Sequence, residues 1–304
     1  KCSDGCFTAG KDGVTHIVST GDRKVELIGF EGRTLAYIKS DMGYPAYYPV
    51  PEVEKTRPAK AVLMDLDGTT VRSEEFWIGI IEQTVASLLK NPRFSFEESD
   101  LPFVSGHSVS EHLQYCIKKY CPKAALSVAR DVYFSHTNRE MALILAGKGR
   151  KGAFTPNEGV KDFLLELKAR NIKIGLVTSG LYEKAYPEIL SAFETMGLHD
   201  PKEFYDCIIT AGSALRKGGA GTLGELEPKP HPWLYAEAGR VGLNIPQKER
   251  GSVVGIEDSG AGVCSLRLAG YFTVGIAGGN IVASGARGMC GAYCERFEEI
   301  LNYL

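Results

Sequence analysis

Residues 61–70, AVLMDLDGTT, place two carboxylates directly after four apolar residues. Asp65 and Asp67 lie two positions apart, so on an extended segment they point to the same side and repel each other. One acid after a strand is an ordinary turn residue, but two such acids need something that offsets their charge. Gly68 then lets the chain turn sharply. The stretch predicts an apolar strand that ends in a charged site.

Apolar strands alternate with helical patterns from about residue 60 onward. This alternation predicts an α/β fold with a Rossmann-like parallel sheet and helices on both faces. Thr155, Pro156 and Glu158 form a helix start with a capping box, and an apolar face follows it at Val160, Phe163, Leu164 and Leu167. The predicted strands are Ala61–Met64, Lys173–Val177, Phe204–Ile209, Ser252–Ile256 and Tyr271–Ile276.

About 100 residues without comparable strands separate the first two predicted strands. Three segments have the pattern of helices, namely EEFWIGIIEQTVASLLK, SVSEHLQYCIKKY and AALSVARDVYFSHTNREMALILA. We expect a helical cap over 73–152, inserted after the first core strand and covering the carboxyl edge of the sheet, where ligands of such sheets bind. The core would then comprise 59–72 and 153–304.

The first 58 residues differ from the rest. KVELIGF and RTLAYI flank the dipeptide EG, a pattern that predicts a β-hairpin, and a proline-rich, aromatic connector follows. We expect a small β-rich N-terminal extension over 1–58.

Charge and composition exclude several kinds of partner. A formal net charge of -2 provides no broad basic field for nucleic acid or a membrane surface. Charged residues interrupt every apolar run before the roughly 18 residues that a membrane helix needs. No signal peptide is visible, and no protein partner is evident. The sequence therefore predicts a cytoplasmic protein with neither a nucleic-acid nor a membrane partner.

The eight cysteines are not needed as staples in a chain of 304 residues. Ordinary reduced thiols are the favoured interpretation. A four-thiolate zinc site stays open as an alternative, formed by Cys2, Cys6, Cys290 and Cys294.

Three further polar signals follow the later strands. Thr178 ends IGLVTSG, Lys229 lies between two prolines in LEPKPHPWLY, and Glu257 and Asp258 end the strand in SVVGIEDSGAG. In this order the four signals resemble the motifs of the haloacid dehalogenase-like (HAD) superfamily. GIEDSGAGVCSLRLAGYFTVGI and KPHPWLY look most like the subgroup of β-phosphoglucomutase and phosphoglycolate phosphatase. The resemblance covers about residues 60–304.

The resemblance implies a Mg2+ site. Asp65 and Asp258 would face each other across the ion, because the family places their strands side by side. The backbone carbonyl of Asp67 would be a further ligand. Glu257 would act as a ligand through water or by bonding to a ligand, although an acid at a helix N-terminus needs no metal. The cation would offset the crowded carboxylates that the opening stretch presents.

The resemblance also implies a covalent mechanism. Asp65 would attack phosphorus and form an aspartyl-phosphate. Asp67 would protonate the leaving oxygen and later activate water. Thr178 would hydrogen-bond a phosphoryl oxygen, and Lys229 would stabilise negative charge. Ser179 and Gly180 either offer backbone N–H groups to phosphate or form a simple turn.

Asp67 narrows the reaction class. Similar dehalogenases lack an acid at this position, so an acid implies that a leaving alkoxide is protonated, as in a phosphatase or a phosphomutase. At three positions β-phosphoglucomutases carry an arginine, a histidine and an acid, whereas this chain has Val109, Trp77 and Arg72. These differences weaken the mutase alternative. We therefore predict a Mg2+-dependent phosphatase acting on a small phosphorylated metabolite such as a sugar phosphate. A β-phosphoglucomutase-like mutase is the main alternative, and a non-catalytic phosphate-ligand sensor is a remote one.

Two loops carry candidate substrate contacts. His107 and Ser108 in VSGHSVSEHL either contact substrate or are polar residues of a cap loop. Arg216 and Lys217, in the glycine-rich connection after Ala211, either attract an anionic substrate or belong to a solvated loop. His231, between two prolines, is interpreted as a loop residue rather than a base.

Overall fold

The structure is a computed structural model that describes residues 1–39, 45–104, 109–211 and 226–304. Its strands, in chain order, are β1 (Val14–Ser19), β2 (Val25–Phe30), β3 (Arg33–Ile38), β4 (Ala46–Pro49), β5 (Ala61–Asp65), β6 (Val71–Arg72), β7 (Thr155–Pro156), β8 (Lys173–Val177), β9 (Cys207–Ile209), β10 (Val253–Glu257), β11 (Phe272–Ile276) and β12 (Ala292–Cys294).

The helices alternate with these strands in the second half of the chain. They are α1 (Glu74–Leu89), α2 (Leu101–Val104), α3 (Val109–Tyr120), α4 (Leu126–Leu145), α5 (Val160–Ala169), α6 (Tyr182–Met196), α7 (Pro201–Phe204), α8 (Trp233–Glu237), α9 (Gly260–Ala269) and α10 (Phe297–Ile300). None of the helices in the described part of the chain is long and apolar enough to cross a membrane.

A six-stranded sheet forms the centre, in the order β12-β11-β10-β5-β8-β9. Every neighbouring pair in it is parallel. All five residues of β5 and of β10 are buried, as expected for inner strands covered by helices on both faces. The predicted α/β fold is confirmed. Because β5 lies between β10 and β8, the carboxyl ends of these three strands meet at one edge.

A separate antiparallel sheet, β1-β2-β3-β4, forms the N-terminal extension. Glu31 and Gly32 join β2 to β3, and Gly32 has the positive φ of 72° that the tight hairpin turn requires. The predicted hairpin is therefore confirmed. Val25, Ala36 and Ile38 pack on Cys264 and Leu268 of α9, so one face of this sheet rests on the core that carries β10.

The chain forms two compact units, and each has its own interior. One comprises Lys1–Thr70, Pro156–Ala185 and His199–Leu304 and holds the six-stranded and the four-stranded sheet. The other comprises Val71–Thr155 and Tyr186–Leu198. It contains α1, α3 and α4, the three helices predicted from the sequence, and an aromatic cluster of Phe76, Trp77 and Phe154.

The predicted helix start at Thr155 is wrong. Thr155 and Pro156 form β7, which pairs with β6. The helix begins only at Val160, after Gly159, whose φ of 79° is not helical. The predicted apolar face is nevertheless right, because Val160, Phe163, Leu164 and Leu167 are all buried.

The predicted strand over Phe204–Ile209 is wrong in its first half. Asp200 caps α7 by accepting a hydrogen bond of 2.9 Å from the backbone N–H of Lys202, and Pro201 suits the first helical position. The chain therefore stays helical through Phe204, and β9 begins at Cys207.

Candidate active site

The first part of the site is the turn that leaves β5. Asp65 is the last residue of the strand and is 6% exposed, whereas Asp67, two residues on, is exposed. The hydroxyl of Thr70 donates to the backbone carbonyl of Asp65 at 2.5 Å and holds the turn. Gly68 is required here: its φ is +83°, and a Cβ on it would lie 2.2 Å from Oδ2 of Asp258. The glycine thus lets the turn approach the end of β10.

The second part is the end of β10, which pairs with β5 in parallel register. Glu257 is fully buried and Asp258 is 8% exposed. Three acids, Asp65, Glu257 and Asp258, each offer one ligand atom, and these three atoms lie within 4.8 Å of one another. The hydroxyl of Thr69 donates to Oδ1 of Asp258 at 3.2 Å. Three carboxylates from two neighbouring strands therefore converge on one point.

The end of β10 is held by the start of α9. The side chain of Ser259 caps the helix by accepting from the backbone N–H of Gly262 at 3.1 Å, and its hydroxyl also donates to Glu257 at 3.1 Å. A Cβ on Gly262 would lie 1.9 Å from the Glu257 carboxylate. A glycine in the first turn of α9 is therefore what leaves room for this buried side chain.

Lys229 supplies a positive charge to the cluster. Its ammonium group donates to Asp65, to Glu257 at 2.7 Å and to the backbone carbonyl of Val177 at 3.2 Å. The lysine side chain is 7% exposed. Three carboxylates against one ammonium leave the cluster with an excess of negative charge in a buried place.

Sequence reasoning missed Tyr235. Its hydroxyl donates to Oε1 of Glu257 at 2.5 Å, and the ammonium of Lys229 lies 4.9 Å from the centre of its ring. Tyr235 is fully buried at the end of KPHPWLY. The signal that could have found it is a tyrosine hydroxyl in a buried helix, which requires a polar partner.

Thr178, Ser179 and Gly180 follow β8. The backbone N–H of Gly180 donates to Oγ1 of Thr178 at 2.9 Å, and the Thr178 hydroxyl lies 3.5 Å from Oδ2 of Asp67. Ser179 accepts a hydrogen bond of 3.0 Å from the backbone N–H of Lys229. This segment therefore ties Asp67 and Lys229 to the same strand end.

Burial and mutual repulsion change the acid–base behaviour of the cluster. Burial, together with the charge of Glu257, raises the pKa of Asp65 well above its ordinary value, although Lys229 opposes the rise. The same two causes raise the pKa of Asp258 to about 7. Burial alone would lower the pKa of Lys229, but Asp65 and Glu257 outweigh it and raise the pKa. The cluster needs more positive charge to keep its carboxylates ionised at neutral pH.

The donor set fits a divalent cation such as Mg2+. All three side chains offer oxygen, which Mg2+ prefers, and their net charge is negative. Among the residues that the structure describes, Asp65, Glu257 and Asp258 form the one group of three or more acidic, histidine or cysteine side chains close enough to hold an ion. Within the part of the chain that the structure describes, Cys2, Cys6, Cys290 and Cys294 do not come together in such a group, so the alternative zinc site has no support there.

The structure brings most of the predicted site residues together. Eight of them surround the ends of β5, β8 and β10, namely Asp65, Asp67, Thr178, Ser179, Gly180, Lys229, Glu257 and Asp258. The predicted substrate contacts His107, Ser108, Arg216 and Lys217 lie outside the described residues. His231 lies in the turn after Lys229 and is 2% exposed.

The chain is similar to known proteins over most of its length. The sequence model of the haloacid dehalogenase-like hydrolases matches residues 62–276. Validoxylamine A 7'-phosphate phosphatase of Streptomyces hygroscopicus subsp. limoneus is 26% identical over 221 residues, which are 71% of this chain and 85% of that protein. β-Phosphoglucomutase of Bacillus subtilis (strain 168) is 26% identical over 232 residues, 72% of this chain and 84% of that protein.

A solved structure has the same fold. The crystal structure of CbbY from Rhodobacter sphaeroides in complex with phosphate has a TM-score of 0.57 and 22% sequence identity. The similarity covers 80% of this chain and 96% of that one. Almost all of the CbbY chain therefore has a counterpart here, whereas about a fifth of this chain has none there.

Proposed function

The chain belongs to the haloacid dehalogenase-like hydrolases and is an enzyme of the phosphohydrolase type, and from this premise we propose that it is a Mg2+-dependent phosphatase of a small phosphorylated metabolite, in the class of sugar phosphates. The observation that carries the proposal is the convergence of Asp65, Glu257 and Asp258 within 4.8 Å, with Lys229 bonded to two of them. An exposed acid, Asp67, stands beside this buried group.

The first step transfers the phosphoryl group to the protein. A carboxylate oxygen of Asp65 attacks phosphorus, a new P–O bond forms, and the bond to the leaving oxygen breaks. Asp67 gives its proton to that oxygen, so the product leaves as an alcohol rather than an alkoxide. Lys229 orients Asp65 and stabilises the charge on the transferred group. The Thr178 hydroxyl, held by the N–H of Gly180, donates to a phosphoryl oxygen.

The second step releases phosphate. Asp67, now ionised, takes a proton from water while the water oxygen bonds to phosphorus. The P–O bond to Asp65 breaks, and the carboxylate of Asp65 is restored. Asp65 and Asp67 thus have different roles because one is buried against Lys229 and the other is exposed.

Asp65 and Asp258 would hold the cation together with the backbone carbonyl of Asp67. A bound Mg2+ would supply the positive charge that lets an anionic nucleophile approach an anionic phosphate. Both sides of the Glu257 carboxylate bond to protein groups, namely Lys229, Tyr235 and Ser259. We therefore assign Glu257 to fixing Lys229 and to contacts with the ion through water.

A phosphomutase is the second candidate, because β-phosphoglucomutase is among the similar proteins. Val109 weakens this candidate, since an apolar side chain there cannot grip a second phosphate. The two activities differ in product: a phosphatase releases inorganic phosphate, whereas a mutase isomerises its substrate and depends on a bisphosphate activator.

A phosphate-release screen tests the proposal. Sugar phosphates, nucleotides and phosphoglycolate are supplied with and without Mg2+, and both inorganic phosphate and isomerised product are measured. We expect Mg2+-dependent phosphate release that Asp65→Asn abolishes and that Asp131→Asn, a change at an exposed acid of α4, leaves intact. Full phosphatase activity in Asp65→Asn would contradict the proposal. Isomerisation without phosphate release would favour the mutase.

Two further predictions from the sequence stay proposals. We propose the division into an extension over 1–58, a core over 59–72 and 153–304, and a helical cap over 73–152. We also propose a cytoplasmic location, which the eight free cysteines support because such thiols persist in a reducing compartment. Limited proteolysis tests the first proposal, and cell fractionation tests the second.

A further inference from the structure

The N-terminal sheet lies outside the part of the chain that matches the family. The family match begins at residue 62, whereas β1–β4 end at Pro49. The chemistry proposed above uses no residue of this sheet. The contacts of this sheet therefore indicate what it contributes to the protein.

Tyr48 of β4 contacts the turn that carries Lys229. Its hydroxyl lies 2.8 Å from Nδ1 of His231, and the two rings meet edge to face with centres 5.8 Å apart. The ring of Trp233 meets Tyr48 in the same way at 6.0 Å. A strand of the extension thus touches the segment 231–233 through one tyrosine.

The orientation of the His231 ring depends on the hydroxyl of Tyr48. His231 is 2% exposed, and its Nε2 has no hydrogen-bond partner among the described atoms. Burial lowers the pKa of His231 below its ordinary value, although the charge of Glu227 opposes the shift. The Tyr48 hydroxyl is therefore the polar contact that fixes the orientation of a buried imidazole.

His231 in turn closes the Lys229 turn. Its backbone N–H donates to the carbonyl of Pro228 at 3.1 Å, so that Lys229 and Pro230 are the two central residues of the turn. Its backbone carbonyl accepts from Ser265 of α9 at 2.6 Å. With the side chain held by Tyr48 and the carbonyl held by Ser265, the end of the turn is fixed on two sides.

We propose that Tyr48, acting through His231, is a positioning residue for Lys229, so that the N-terminal sheet sets the rate of phosphoryl transfer. The kinetic part of this inference rests on the proposed function. The loss of one hydroxyl should loosen the turn and let the ammonium of Lys229 move away from Asp65. Small displacements of a group that stabilises transferred charge have large effects on rate.

Tyr48→Phe tests the inference, and Tyr47→Phe is its matched control. The hydroxyl of Tyr47, on the same strand, donates to Asp4 within the extension rather than to the turn. With p-nitrophenyl phosphate and Mg2+, we expect kcat to fall about tenfold in Tyr48→Phe with KM unchanged. Tyr47→Phe should keep the kcat of the parent enzyme. Equal kcat values in both variants would overturn the inference.

Two further comparisons separate positioning from general damage. His231→Asn keeps an acceptor near the position of Nδ1, whereas His231→Leu does not, so we expect Asn to retain more of kcat than Leu. In a Lys229→Met background, Tyr48→Phe should cost no further activity, because the group it positions is gone. A tenfold loss that persists in that background would show that Tyr48 acts on something other than Lys229.

Hydrogen exchange provides a readout that needs no turnover. Backbone amides of 226–236 should exchange faster in Tyr48→Phe than in Tyr47→Phe, as measured on intact protein by mass spectrometry. Unchanged exchange there would overturn the inference. If the parent enzyme turned over no phosphate ester, the proposed function would fail, while the exchange experiment would still decide whether Tyr48 holds the turn.

Discussion

The buried carboxylate of Glu257 is held in position by hydrogen bonds from its neighbours. Lys229 and Tyr235 bond to one oxygen, and Ser259 bonds to the other. These contacts fix the side chain beside Asp65 and Asp258, the proposed nucleophile and the proposed metal ligand. A residue that orients a ligand or its neutralising partner affects the ion even when it does not touch it.

Removing the hydroxyl of Tyr235 should therefore weaken the metal site. In Tyr235→Phe, we expect the Mg2+ concentration needed for half-maximal activity to rise about tenfold, because Glu257 loses a short hydrogen bond and shifts. A Mg2+ titration of phosphate release measures this effect.

Tyr271→Phe is the control for this titration. Tyr271 is buried in the same apolar cluster as Tyr235, and no hydrogen bond joins it to the site carboxylates in the described part of the chain. If both variants needed the same Mg2+ concentration as the parent enzyme, the role given to Tyr235 would be wrong.

Among the secondary-structure elements, α9 has a close-packed start that should affect both stability and activity. The helix begins against Glu257, and Gly262 has no room for a methyl group. Gly262→Ala should lower both the free energy of unfolding and the activity, by about 1–3 kcal/mol for the former, as is typical of overpacking. Urea denaturation and phosphate release check the two effects.

Gly79 in α1 is the matched control, since a Cβ there meets no atom within 4 Å. Gly79→Ala should raise the free energy of unfolding by about 0.5–1 kcal/mol, because alanine loses less backbone entropy in a helix. A destabilised Gly79→Ala protein, or an unaffected Gly262→Ala protein, would contradict this account of α9.

The sequence predicts those elements whose signals are local. The apolar run before Asp65 and the order of Thr178, Lys229 and Asp258 suffice to predict that these residues meet at one edge of the sheet, because the carboxyl ends of parallel strands share an edge. Thr155 misled the prediction, because a good capping box does not reveal that β6 pairs with β7. Tyr48 and Tyr235 were missed, since each contacts the site through a partner distant in sequence.

At the scale of the whole molecule, each of the two units contains a buried carboxylate with a depressed pKa. Burial alone would raise the pKa of Glu26, but hydrogen bonds from Cys2, Ser3 and Lys39 outweigh it and lower the pKa to about 2. Burial would likewise raise the pKa of Asp100 in the other unit, but bonds from Lys119 and two tyrosines hold it well below its ordinary value. Both groups favour the folded state when ionised.

These two carboxylates should make the protein sensitive to acid. A depressed pKa stabilises the fold above the unfolded pKa, and this stabilisation is lost as the pH falls toward the folded value. For Glu26 the window runs from its ordinary value of 4.5 down to about 2. Glu26→Gln should therefore lower Tm at about pH 6 and have a smaller effect at about pH 3.

Thermal unfolding at the two pH values measures this, with Glu31→Gln as the control at an exposed turn. The control should leave Tm close to that of the parent protein at both values. An effect of Glu26→Gln that is the same at both values would show that the ionised carboxylate contributes nothing to the fold.

In the proposed mechanism, Asp65 takes up the phosphoryl group. The direct measurement is mass spectrometry of Asp67→Asn protein, quenched in acid after mixing with p-nitrophenyl phosphate and Mg2+. Nitrophenolate leaves without a proton, so the first step should proceed, while the loss of the base should slow hydrolysis. We expect one added phosphoryl group on the peptide that contains Asp65. Phosphorylation of another residue, or none while the parent enzyme turns over the ester, would contradict the account.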